Sequence, residues 1–243
     1  MKNMSWKEKF LVIAHRGASA HAPENTIKSF RKAIEMGADA IEFDLRRTLD
    51  GVPIVLHDED LKRVAGIPKK VSELRVNELK NIKIFGEETI PTFEEVLQEF
   101  GNKIPMFIEL KDEGIENVVA TLIKQYNIYE NCLLISFNYD VLAKLKGLDE
   151  KLEVGLLTYS HLMPIEFALK IKAFAILPRF NTISPRVVKE IRSKRLRVYT
   201  WTVNDVAIAL KVIGYGVDGI ATDDPQIKTL ISKQTTLQKF FGR

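Results

Sequence analysis

Short apolar runs rich in β-branched residues alternate with longer segments of helical periodicity along almost the whole chain. Residues 10–14 (FLVIA) read as a buried strand, and 24–36 as a helix stopped by Gly37. Residues 40–45 form a second strand, and 53–56 a short extended piece. An irregular, lysine-rich stretch then runs to Pro91. After a helix over 93–100 and a strand over 104–110, the rhythm becomes regular. Strands are expected at 132–136, 153–157, 173–177, 197–202 and 219–221, with helices at 115–126, 139–146, 164–170, 185–193, 205–213 and 225–232. Strands that alternate with helices in this way imply a parallel sheet. Eight such units in one chain of 243 residues match a closed (β/α)8 TIM barrel of class α/β. An open doubly wound sheet is the alternative, but no Gly-rich nucleotide turn follows the first strand. No linker-like stretch divides the chain. A single domain over 1–243 is expected, its core at about 10–232, with a short insertion at about 58–91 after the second strand.

Composition removes several classes. With 46% hydrophobic and 28% charged residues the chain reads as a globular protein rather than a disordered or fibrous one. The longest apolar run is about five residues, far from the roughly 20 that a spanning helix needs. The single cysteine, Cys132, cannot form an internal disulfide. The N-terminus lacks the apolar core of a secretory signal, so a cytoplasmic location is expected. The net charge of +4 is too diffuse to imply nucleic acid, and the basic stretch at 186–197 is spaced like the wet face of a helix. Trp6 is expected to pack on the underside of the barrel. The tail at 235–243, with Leu237, Phe240 and Phe241, suggests at most a weak peripheral membrane contact, against packing on the barrel or fraying.

In a barrel of this type the active site lies at the carboxyl ends of the strands. His15 and Arg16 end the first strand. Glu42 and Asp44, two apart on the second, project to one side, and Glu109 and Lys111 repeat that spacing on the third. His57 closes the extended piece, and Trp201 lies near the end of the seventh strand. Three converging carboxylates repel one another unless protons, basic side chains or a metal neutralise them. An all-oxygen set suits a hard cation such as Mg²⁺ or Ca²⁺. Pairing to Arg16 and Lys111 without a metal is the other reading. His15 and His57 are natural proton carriers. His21 and His161 read as surface residues. Arg16 and Lys111 can hold a phosphate, and Trp201 is either core or pocket wall.

These residues are familiar as an ordered set. His15-Arg16-Gly17 and Pro23-Glu24-Asn25-Thr26 open it, and Glu42-Phe43-Asp44, Asp50-Gly51 and Pro53-Ile54-Val55-Leu56-His57-Asp58 continue it. Glu109-Leu110-Lys111, Trp201-Thr202-Val203-Asn204 and Gly219-Ile220-Ala221-Thr222-Asp223-Asp224-Pro225 complete it. The set resembles the signature of glycerophosphodiester phosphodiesterases of the small prokaryotic type. The resemblance implies hydrolysis of a small glycerophosphodiester to glycerol 3-phosphate and an alcohol with a divalent cation. By matched position it implies Glu42, Asp44 and Glu109 as metal ligands and His15 and His57 as the acid–base pair. It places Arg16 and Lys111 near the phosphate and Trp201 beside the glycerol. A phosphoinositide- or sphingolipid-directed phosphodiesterase on the same barrel, and a non-catalytic phosphate-binding barrel, are the rival readings. Arg46 and Arg47 are expected to face outward, solvated. Arg179 is either an additional anion contact or a surface residue, and Phe137, Tyr159 and Phe180 are candidates for the headgroup wall.

Overall fold

The computed structural model describes residues 6–241, with side chains through residue 234. Its central feature is a ring of parallel strands that are neighbours in chain order: β1 (Leu11–His15), β2 (Ala40–Arg47), β3 (Met106–Leu110), β4 (Cys132–Ser136), β5 (Val154–Thr158), β6 (Ala175–Pro178), β7 (Arg197–Thr200) and β8 (Gly219–Thr222). The ring closes at β1, where Ile13 stands level with Ala221 of β8 on one side and Ala40 of β2 on the other. Helices α1 (Ile27–Glu35), α2 (Phe93–Phe100), α3 (Glu116–Gln125), α4 (Tyr139–Leu148), α5 (Ile165–Lys170), α6 (Pro185–Ser193), α7 (Val206–Gly214) and α8 (Ile227–Phe241) form the outer layer. This is the TIM barrel expected, one helix following each strand.

Period-two alternation builds two cores. Outward residues of β2, Ile41, Phe43 and Leu45, join the apolar layer beneath the helices, where Phe43 lies 5.5 Å from Phe30 and 6.2 Å from Phe93. Inward residues Leu11, Ile13, Phe107, Leu133, Ile135, Leu157, Leu177 and Tyr199 fill the barrel. Gly219 makes room for this filling, since a Cβ there would lie 2.7 Å from the Leu11 carbonyl oxygen and 2.9 Å from the Tyr199 ring. Trp6 closes the bottom as expected, edge-on to Phe107 at 5.9 Å and Phe174 at 6.0 Å. The strands are buried on both faces, so they appear in the sequence as continuous apolar runs. Polar inward residues collect at the opposite, carboxyl end.

Two expectations need adjustment. The helix expected from 24 begins at Ile27, because Thr26 caps it through a reciprocal pair with Ser29, leaving Glu24 and Asn25 outside. The stretch at 58–91 is more ordered than its composition suggests. It contains two short antiparallel pairs, Asp60–Leu61 with Ile67–Lys70 and Lys83–Ile84 with Glu88–Thr89, and two short helices, Lys62–Ala65 and Val76–Leu79. Leu56, Leu61, Val64, Val71, Leu74 and Leu79 give it an apolar cluster of its own. The strand Pro53–Val55 pairs antiparallel with the far end of β2 and ties this insertion to the barrel. On α6, Val188 and Ile191 are buried and the basic residues face water, as expected of a solvated helix face. Among the described residues, no helix is long and apolar enough to cross a membrane. The side chains of 235–243, including Leu237, Phe240 and Phe241, lie outside the described residues.

Candidate active site

Strand register brings the acidic residues together. His15 on β1 stands level with Glu42 on β2, and Asp44 on β2 stands level with Glu109 on β3. Glu42, Asp44 and Glu109 are 5%, 1% and 7% exposed, and one oxygen from each can be chosen so that all lie within 4.8 Å of one another. Two basic side chains oppose them. Lys111 Nζ lies 3.1 Å from Asp44 and 2.8 Å from Glu109, and Arg16 Nε lies 3.3 Å from Asp44. Asn25 donates from Nδ2 to Asp44 at 2.8 Å, and the Arg16 backbone N–H donates to Glu42 at 2.9 Å.

The cations therefore concentrate on Asp44. Burial alone would raise its pKa, but Lys111 and Arg16 hold it well below the usual carboxylate range. Burial and the neighbouring Asp44 charge push Glu42 up and carry Glu109 to about 8. Two cations for three carboxylates leave a negative site that a proton or a bound cation can complete. The three buried, converging carboxylates fit a hard divalent ion: oxygen-only donors within one ion's reach, at the open end of the barrel.

His15 and His57 each carry an aspartate on Nδ1. His15 Nδ1 is 2.7 Å from Asp223, which also accepts from Ser19 Oγ at 3.1 Å and Asn204 Nδ2 at 2.5 Å. His57 Nδ1 is 2.8 Å from Asp58, which Arg63 grips with two nitrogens at 2.7 and 3.1 Å. Burial penalises the charged form of His15, yet the Asp223 hydrogen bond and the Glu42 charge prevail and its pKa is raised. At His57, burial, helped by Arg16 and Lys111, outweighs Asp44 and Asp58 and lowers the pKa. His21, which pairs with Asp224 at 2.9 Å, and His161 are both exposed, as anticipated.

His15, Arg16, Glu42, His57, Glu109, Lys111 and Trp201 line one cavity at the carboxyl ends of the strands. Asp44 does not line it but is paired with Arg16 and Lys111, which do. One wall is aromatic. Phe137 stacks on Tyr159 at 4.6 Å, and Trp201 meets them edge-on at 5.6 and 5.1 Å. Trp201 is fixed by its indole N–H, which donates to the Leu177 carbonyl at 2.7 Å. Phe180 does not belong to this wall, because it packs into the layer beneath the helices. Arg179 is exposed and does not line the cavity. The expectation for Arg46 is also corrected. Rather than facing solvent, it donates from Nε and Nη2 to the His57 carbonyl at 3.0 and 2.8 Å and pairs with Asp112 at 2.7 Å. Its reach across the outer end of β2 satisfies a carbonyl that no strand pairs. Arg47 alone is exposed.

Sequence reasoning assigned no role to Asp58, Asp223, Asn25, Glu24 or Arg63. The first four lie inside the quoted motifs, so the strings held the signal. What they lacked was spatial pairing, since Asp223 is 208 residues from His15.

A phosphate diester is a poor electrophile because its own negative charge repels a nucleophile. A pocket that joins two lysine and arginine cations to two aspartate-backed histidines answers that difficulty, and the chain is a phosphoric diester hydrolase. The sequence profile of the glycerophosphoryl diester phosphodiesterase family matches residues 15–227, and the chain belongs to that family. It is 38% identical over 238 residues to a glycerophosphodiester phosphodiesterase of Caldanaerobacter subterraneus subsp. tengcongensis, covering 92% of this chain and 97% of that one. An Oleispira antarctica phosphodiesterase, solved in complex with its product sn-glycerol-3-phosphate, superposes with a TM-score of 0.85 at 28% identity, covering 94% of this chain and 99% of that one. The glycerophosphodiester phosphodiesterase of Thermotoga maritima gives a TM-score of 0.80 at 28% identity, over 92% and 99%.

Proposed function

We propose that this protein hydrolyses glycerophosphodiesters to glycerol 3-phosphate and an alcohol. The observation that carries this reading is the meeting of the buried carboxylate trio with two histidines, each backed by an aspartate, at one cavity. Glu42, Asp44 and Glu109 hold a divalent cation, Mg²⁺ or Ca²⁺. When bound, the cation supplies positive charge against the phosphoryl oxygens.

The residues divide the remaining work. Arg16 and Lys111 receive the phosphate, the arginine through its fork and the lysine as a point charge. Trp201 offers a flat apolar face to the carbons of the glycerol arm. His57, whose pKa is lowered, is neutral near pH 7 and takes a proton from the attacking hydroxyl at Nε2. His15, whose pKa is shifted upward, toward the protonated form, is the donor that delivers a proton from Nε2 to the departing alcohol oxygen. Asp58 and Asp223, each bound at Nδ1, keep both Nε2 atoms turned toward the cavity.

Incubation with glycerophosphocholine, with and without chelator and with the product identified, tests the reading. Release of glycerol 3-phosphate and choline, lost in chelator and restored by Mg²⁺ or Ca²⁺, is expected. Release of phosphocholine instead, or activity indifferent to chelator, would overturn it.

A further inference from the structure

No barrel strand carries His57. It follows Pro53–Val55, a strand that pairs with the outer end of β2 and bridges to Thr92 through Ile54, outside the barrel ring, so its position must be set by other means. Arg46 pins its carbonyl, and Asp58 holds its ring. Beyond Asp58 the contacts continue. Arg63 Nε lies 2.7 Å from Asp58 Oδ2, and Arg63 Nη2 lies 3.1 Å from Asp58 Oδ1. The same Nη2 is 2.7 Å from Glu24 Oε1, which accepts from Arg16 Nη1 at 3.1 Å. One guanidinium thus joins the histidine end of the cavity to the phosphate end.

The insertion is shaped to present it. Arg63 sits on the one-turn helix Lys62–Ala65, whose neighbours Leu61 and Val64 are buried in the insertion's own apolar cluster. Gly66, with φ +72°, ends that helix. The buried pair fixes the turn, and Arg63 is left facing the barrel mouth. Lysine would not serve equally, because only a planar fork can hold the Asp58 carboxylate and Glu24 together.

We infer that Arg63 is a positioning residue, which sets His57 through Asp58 and Arg16 through Glu24 and so couples the proton-accepting and phosphate-holding sides of the site. The insertion then acts as a bracket for the catalytic histidine. The inference rests on the roles proposed above for His57 and Arg16. Arg63 is itself 46% exposed in its side chain, and exposed ion pairs contribute little to stability. Its loss is therefore expected in turnover rather than in folding.

The test compares Arg63→Ala, Arg63→Lys and Asp58→Asn in the full chain, and Arg63→Ala combined with His57→Ala. Both glycerophosphocholine and bis(nitrophenyl) phosphate serve as substrates, with thermal unfolding measured alongside. Arg63→Ala should lower kcat by about 10- to 100-fold, the range for losing the partner that orients a functional histidine. The melting temperature should hold. Arg63→Lys should recover part of the loss, and Asp58→Asn should reproduce it. In the His57→Ala background, Arg63→Ala should cost a clearly smaller factor in kcat, because the branch through Asp58 is already lost and only the branch through Glu24 to Arg16 remains. An undiminished kcat in Arg63→Ala overturns the inference, as does an equal fold loss in both backgrounds. Should Arg63→Ala fail to fold, full kcat in Asp58→Asn overturns it. Failure to cleave glycerophosphocholine while the ratios hold on the nitrophenyl diester would sink the substrate reading alone.

Discussion

His15 and Asp223 meet at 2.7 Å across the junction where β1 and β8 close the barrel. The contact joins the first strand to the last, and it repeats at His57 and Asp58, neighbours in sequence. In both, the carboxylate takes Nδ1 and leaves Nε2 for the cavity. The surroundings then separate the two rings. Asp223 is drawn down to about 2 by its bonds with His15, Asn204 and Ser19 despite burial, and remains a full charge beside His15. Asp58 shares its charge with Arg63, while His57 also faces Arg16 and Lys111. Two similar pairs thereby have their histidine pKa values pushed in opposite directions.

Asp223→Asn keeps the shape but offers His15 an amide in place of a charge. The ring can then turn to the wrong tautomer, as in other carboxylate–histidine pairs. A loss of about 10²–10⁴ in kcat is expected, within the range of general acid–base catalysis, with little change in KM. Steady-state kinetics on glycerophosphocholine check it; a loss confined to KM would count against the orienting role.

The fold was legible because each strand of a parallel barrel is buried on both faces and shows as an apolar run, as in 132–136. The carboxylates were legible for the complementary reason: Glu42, Asp44 and Glu109 interrupt such runs where a residue must point inward. Period two along β2 and its neighbour is enough to imply their convergence. The partners of the histidines were not legible as partners. Asp223, Asn204 and Arg63 lie in loops or short turns, where no periodicity announces direction. Arg46 misled for a related reason. Its β2 segment outlasts the barrel, so alternation no longer distinguishes cavity from solvent, and its target is a backbone carbonyl without sequence identity.

The three carboxylates should respond differently to removal. Asp44 is the carboxylate that Arg16 and Lys111 share, and Asp44→Ala leaves Lys111 with Glu109 and Arg16 with Glu24 as their remaining partners. A destabilisation of about 1–3 kcal/mol is expected, the cost of leaving buried polar groups short of a partner. Glu42 accepts the Arg16 backbone N–H and is disfavoured as an anion, so Glu42→Gln should leave the metal-free protein as stable as before or more so. Both should lose chelator-sensitive activity. Denaturant unfolding in chelator separates them; equal destabilisation would show that the cations do not depend on Asp44.

Metal binding should be linked to a proton on Glu109. Its pKa stands near 8 without a cation, raised from the ordinary 4.5 chiefly by burial. A raised carboxyl contributes stability that is full below about 4.5 and is lost as pH rises through about 8. The metal-free protein should therefore lose this contribution across that window. An incoming cation must displace the proton, so affinity for Mg²⁺ or Ca²⁺ should climb with pH and level off above about 8. Calorimetry in two buffers of different ionisation enthalpy will count the protons released. Zero release at pH 7 would remove Glu109 from the ligand set.

The two histidines supply the sharpest division. His57 is lowered and His15 raised, so the proposed division makes the active form the one with His57 free of its proton and His15 carrying one. The pH profile of kcat/KM should then be a bell, its acid limb set by His57 and its alkaline limb by His15. His57→Ala should erase the acid limb and His15→Ala the alkaline one, each with a loss in kcat of about 10²–10⁴. Metal affinity should hardly move, because the proposed ligands are the carboxylates. A nitrophenyl leaving group departs without needing a proton. It should restore much of the rate of His15→Ala and little of that of His57→Ala, since only the former lacks the acid. Equal sensitivity of both variants to leaving-group pKa would mean that one histidine does not work as the acid and the other as the base.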